Sequence, residues 1–133
     1  MNRANLCSAI EGLASGYGYD FSLNDKSYYP TTISRYPAAF MSQPEFSSIE
    51  GRKHGRITYK IALTLACQAA KLAPTARNEV FDRMEQDLTK IFLGLSQTDF
   101  VAVVKNLTIK TLNGIDAHGA IAIEAEALVE TIF

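Results

Sequence analysis

Between Arg56 and Gln68 the chain alternates strictly. Ile57, Tyr59, Ile61, Leu63, Leu65 and Cys67 fall on one side of an extended backbone, and Thr58, Lys60, Ala62, Thr64, Ala66 and Gln68 fall on the other. Side chains in a strand alternate with period two, so the pattern predicts one long strand with a single apolar face. That face needs a cover. The later segment with a matching apolar stripe is Thr75 to Leu95, where Val80, Phe81, Met84, Leu88, Ile91, Phe92 and Leu95 recur at helical steps with charged residues between them. This predicts an amphipathic helix of about five turns. Ala73-Pro74-Thr75 reads as its start with Thr75 as N-cap, and Gly94 or Ser96 as its end.

The rest of the chain fits around this pair. Leu6, Ile10, Leu13 and Tyr17 form the stripe of a short N-terminal helix over Asn2 to Ser15, stopped by Gly16 and Gly18. Tyr19 to Arg35 holds turn formers among scattered aromatics, without a sustained period, and reads as an ordered excursion loop. Tyr36 to Ser42 is a short strand with Pro37 near its start and Pro44 after its end. Because proline lacks the donor that a central strand requires, its start is expected at an edge or bulge. Gln43 to Gly55 is polar, carries two glycines, and reads as a long hairpin loop. Phe100 to Leu112 is a strand whose alternation changes around Lys105, where a bulge is expected. Gly119 to Phe133 alternates again, with Ile121, Ile123, Ala125, Ala127 and Val129 on one side and Glu124, Glu126 and Glu130 on the other.

Together these give the order α-β-β-α-β-β. The predicted fold is α+β, a four-stranded, mostly antiparallel sheet of two hairpins with both helices on one face. Residues 1–133 form a single domain, with 1–18 as the N-terminal helix, 19–35 as the excursion loop, and 36–133 as the sheet and main helix. The opposite sheet face carries Thr58, Lys60, Ala62, Thr64, Ala66, Ala122, Glu124 and Glu126. Such small, mildly polar residues suit either a solvated wall or a surface presented to another subunit.

Composition adds little chemistry. A formal net charge of −1 gives no global attraction for nucleic acid or anionic membrane. Cys7 and Cys67 sit in amphipathic elements without metal or redox spacing, and are expected as buried small apolar residues in a reducing, intracellular setting. An acidic residue and glycines interrupt the N-terminal stretch, and no run of eighteen apolar residues occurs. The expectation is therefore a protein neither secreted by a signal peptide nor membrane-spanning. No nucleophile elbow, P-loop or dinucleotide fingerprint is present, and no cofactor is expected. His54 and His118 lie in predicted loops without a third ligand. The cluster Arg52-Lys53-His54-Gly55-Arg56 suits either a phosphate contact or a solubilising turn. Glu124, Glu126 and Glu130 are expected to face water or to meet Lys60, Lys105 or Lys110 across strands. Tyr17, Tyr19, Tyr28, Tyr29 and Tyr36, with Phe21 and Phe40, form either a docking arm or a lid over the open end of the core.

In this arrangement the chain resembles the tail terminator and related head-to-tail joining, or tail completion, proteins of long-tailed bacteriophages. The likeness rests on a short first helix, an irregular excursion, the strand Tyr36-Pro37-Ala38-Ala39-Phe40, a charged loop, the long strand Arg56 to Gln68, one amphipathic helix and two terminal strands. It implies a non-enzymatic subunit of a homo-hexameric ring that caps the tail tube and joins it to the head, in the virion or in the host cytoplasm during assembly. Its partners would be further copies, tail-tube and head-connector proteins, with DNA met at most by passage through the ring. On that implication the candidate interface residues are Tyr28, Tyr29, Arg52, Lys53, Arg56, Lys60, Glu124 and Glu126. The alternative is a small intracellular ligand-binding or regulatory α+β domain acting as a dimer.

Overall fold

A computed structural model describes residues 2–24, 35–51, 55–69, 71–115 and 119–133. The elements run α1 (Asn2–Gly16), β1 (Asp20–Asn24), β2 (Ala38–Ser42), β3 (Glu45–Gly51), β4 (Gly55–Cys67), α2 (Pro74–Ser96), β5 (Val101–Leu112) and β6 (Ile121–Ile132). The class is α+β with two helices and a mixed sheet. Among the described residues the sheet has six strands rather than four, in the order β1-β2-β4-β6-β5 with β3 also on β4.

The two extra strands come from segments read as loops. Asp20–Asn24 pairs in parallel with β2, and Glu45–Gly51 runs antiparallel to the first half of β4. β2 and β3 therefore share one side of β4 in succession, while β6 pairs along the whole of the other side, from Arg56↔Ile132 to Cys67↔Ile121. β2 is not an edge strand either. It begins one residue past Pro37, so the missing proline donor falls outside the ladder, and the Pro37 carbonyl accepts from the Asp20 amide at 2.9 Å.

The long strand buries the face its pattern predicted. Ile61, Leu63 and Leu65 are fully buried and Tyr59 nearly so. Opposite them Val129, Ala127, Ala125 and Ile123 of β6 complete the layer. Above it lie Met84, Leu88, Ile91, Phe92 and Leu95 of α2 and Leu6, Ile10 and Ala14 of α1, in one contiguous core. Each large aliphatic side chain removed from water there contributes about 1.5–3 kcal/mol. Helix α2 is the crossover between β4 and β5, which run parallel with β6 between them. Its N-cap is Ala73 without a side-chain bond, and Pro74 occupies the first turn, so Thr75 is not the cap. Tyr17 lies beyond α1, whose buried stripe is completed by Ala14. Where α1 meets α2, a Cβ on Gly94 would stand 2.8 Å from Leu13 Cδ2, so the missing side chain lets the helices close up.

The bulge expected in the fifth strand is present. The register of β5 against β6 slips between Lys105 and Thr108, where Asn106 has φ 57°. Asparagine tolerates that left-handed conformation better than most residues.

Candidate functional site

The outer face of the sheet is not uniform. Near the Cys67 end of β4, Ala38, Phe40, Ala66, Ala120 and Ala122 form a second buried cluster with Tyr36, Leu112 and Ile115 packed on it. Ala66 and Ala122, read as part of an open mildly polar face, are fully buried there, in one cluster with Phe40 and with Tyr36 packed against it. Toward the Gly55 end the same face is charged. Lys105 Nζ meets Glu130 Oε1 at 2.8 Å, Arg56 Nη1 meets Glu130 Oε2 at 3.3 Å, and Lys60 Nζ meets Glu126 Oε2 at 3.5 Å. Lys60 and Lys105 are partners that the alternation of β6 predicted, while Arg56 is an additional one. The hydrogen bond from Lys105, with Arg56 beside it, holds the Glu130 carboxyl below the usual carboxylate range against its partial desolvation.

The aromatic group divides. Tyr19 is buried in the main core and Phe21 packs against it, which is the lid arrangement. Tyr36 and Phe40 belong to the outer cluster, while Tyr17 is exposed. The Tyr19 hydroxyl donates to Asp87 Oδ2 at 2.7 Å. Burial, with that carboxylate beside it, pushes the phenol well above its ordinary range. Tyr17, Tyr19, Tyr36, Val80, Arg83 and Asp87 line a cavity of about 290 Å³ between α2 and the start of β2. Sequence reasoning missed this cavity, because nothing in the spacing brings the tyrosines to Arg83 and Asp87. Cys67 also borders it. Cys67 and Cys7 are half-buried rather than fully buried, and burial raises both thiols. The reactive thiolate is therefore disfavoured at either position.

At the Gly55 end, α1 is tied to the sheet by polar contacts. Asn2 Nδ2 donates to Thr131 Oγ1 at 3.0 Å and to the Ile132 carbonyl at 2.9 Å, and the Thr131 hydroxyl donates to the Ile57 carbonyl at 2.9 Å. Arg3 donates to the Pro44 carbonyl and lies over the Tyr59 ring, 5.6 Å from its centroid. Beyond this anchor several apolar side chains of the sheet are exposed among the described residues. Phe46 stands edge-on to Tyr59 at 6.3 Å and is 55% exposed, and Ile49 is 58% exposed. On the opposite border of the sheet, Val103, Leu107 and Ile109 of β5 are also exposed.

Of the interface candidates, Arg56, Lys60, Glu124 and Glu126 lie together on the outer face of β4 and β6, with Lys60 and Glu126 paired to each other. Tyr28, Tyr29, Arg52 and Lys53 lie outside the described residues, as do His54 and His118. Among the described residues no three histidine, cysteine or acidic side chains converge as metal ligands, and no helix is long and apolar enough to cross a membrane. No protein-family model and no curated protein matches the chain.

Proposed function

We propose that this chain is a non-enzymatic structural subunit that assembles with copies of itself, in the role of a phage tail terminator or head-to-tail joining protein. Such a ring would cap the tail tube at its head-proximal end. The observation that supports this reading most strongly is that, among the described residues, no strand pairs the outer edges of β3 and β5, each of which bears exposed apolar side chains. A monomer ordinarily guards such borders with short strands, charged side chains, prolines, bulges or a covering loop, and here Lys105, Lys110 and the bulges do part of that while Phe46, Ile49, Val103, Leu107 and Ile109 stay exposed. Here β5 is twelve residues long, and β3 carries no lysine or proline.

Replacing Phe46 and Ile49 together by serine tests the reading. Both side chains are more than half exposed, so the melting temperature should stay within a few degrees of the unsubstituted chain. The assembled fraction measured by light scattering should fall. An assembly of undiminished mass and affinity would overturn the reading.

The cavity beside Tyr19 and Arg83 favours the second reading, a ligand-stabilised dimer, because its aromatic walls and few polar groups are those of a small-molecule site. That reading requires a mass of two chains that depends on an added ligand. The assembly reading requires a larger mass with no ligand.

A further inference from the structure

Edge strands β3 and β5 carry opposite charges at the same spacing. On β3, Glu45 lies opposite Lys60 and Glu50 opposite Arg56, so five steps of β3 span four of β4 across the register slip at Phe46/Ser48. On β5, Lys105 lies opposite Leu128 and Lys110 opposite Glu124, so five steps again span four, across the slip at Lys105/Thr108. The two acids and the two lysines all lie on the outer face of the sheet, since their partners alternate with the buried residues of β4 and β6. On the helix-covered side, Phe46 lies opposite Tyr59 and Ile109 opposite Ala125, and both Phe46 and Ile109 are exposed.

We infer that β3 of one copy pairs antiparallel with β5 of the next, with Glu45 opposite Lys110, Phe46 opposite Ile109 and Glu50 opposite Lys105. The occupant of each border is a second copy of this chain, and the inference rests on the assembly reading above. Strand direction agrees with it: β3 runs against β4 and β5 runs with it, so two copies of the same orientation meet antiparallel, with helices on the same side. Faces agree as well. In this register each acid meets a lysine on the outer face while the phenyl ring meets Ile109 on the other. Lys105 already bonds Glu130, and its ammonium has donors left for Glu50.

The same charges disfavour the symmetric alternatives. Two β3 edges would set acid against acid, and two β5 edges lysine against lysine, so the charges favour the heterologous contact. Lys105 is level with Lys60 and Glu50 with Arg56, so each copy is offset from its neighbour by four residues, about 13 Å along the strands. A heterologous contact generates a ring where the rotation closes and a filament where it does not, and a closed ring absorbs the offset by tilting its strands.

The test uses the full chain. Glu45→Lys alone and Lys110→Glu alone should each weaken self-association about tenfold, and the two together in one chain should restore it to within about threefold, with melting temperatures compared throughout. In parallel, Glu45→Cys chains mixed with Lys110→Cys chains should form a disulfide-linked dimer under mild oxidation, above the background that Cys7 and Cys67 give in each variant alone. Self-association unchanged by either charge reversal, or no cross-link specific to the mixture, would overturn this pairing while leaving self-assembly standing. An unsubstituted chain that stays monomeric would overturn both.

Discussion

Thr131 shows how much one buried hydroxyl can organise. It is fully buried, donates to the Ile57 carbonyl and accepts from Asn2, so a single side chain joins β6, β4 and the first turn of α1. Thr131→Val keeps the shape and removes both bonds. A loss of about 1–2 kcal/mol in urea unfolding is expected, and an unchanged midpoint would show that the anchor contributes nothing. Tyr19→Phe makes a similar test at the other end of the core. It removes the hydrogen bond to Asp87, and the charged acceptor makes a loss of about 1.5–3 kcal/mol the expected result of the same measurement. Glu130 contributes a pH dependence to the outer face. Its folded-state pKa lies below the ordinary carboxylate value, so the stability it contributes is present above that ordinary value and is lost as pH falls through the folded one. Lys105→Met should move the Glu130 titration upward, read by NMR at its side-chain carboxyl. An unmoved titration would contradict the hydrogen bond as its main cause.

Among the elements, β4, α2 and β6 are the ones whose periodicity is sustained, and these were legible from sequence to within a residue or two. Their burial follows their alternation: Ile61, Leu63 and Leu65 inward, Lys60 and Glu126 outward. Leu63→Asp would place an unpaired charge under α2, at a cost of several kcal/mol against a total stability of about 5–15 kcal/mol. Loss of cooperative thermal unfolding is expected, and a normal melt would mean that the wrong face is inward. β1 and β3 were not legible, for different physical reasons. β1 is five residues at a border, with Asp20, Ser22 and Asn24 in it, and its partner is a strand to its own C-terminal side in sequence, met only through parallel pairing. β3 is exposed at every position, so burial imposes no alternation on it, and its bulge breaks what period remains. The bulge in β5 was legible because Lys105 falls where the apolar alternation changes. At the candidate site, the charged pairs on β4 and β6 followed from period two. The cavity at Tyr19 and the complementary borders needed the register.

At the scale of the whole molecule, burial is lopsided. One face of β4 and β6 is covered by two helices, one end of the other face is closed by a second cluster of alanines and aromatics, and among the described residues β3 and β5, which with β1 form the sheet's edges, carry exposed apolar side chains. A sheet finished in its centre, with exposed apolar side chains along β3 and β5, is suited to extension by copies of itself. Sedimentation velocity on the unsubstituted chain across a range of concentrations tests this most directly. The account predicts one discrete species of several subunits, formed without added ligand and gaining population with concentration. A single monomeric species persisting to about 0.1 mM, where a contact of about −5.5 kcal/mol would be half populated, would contradict it.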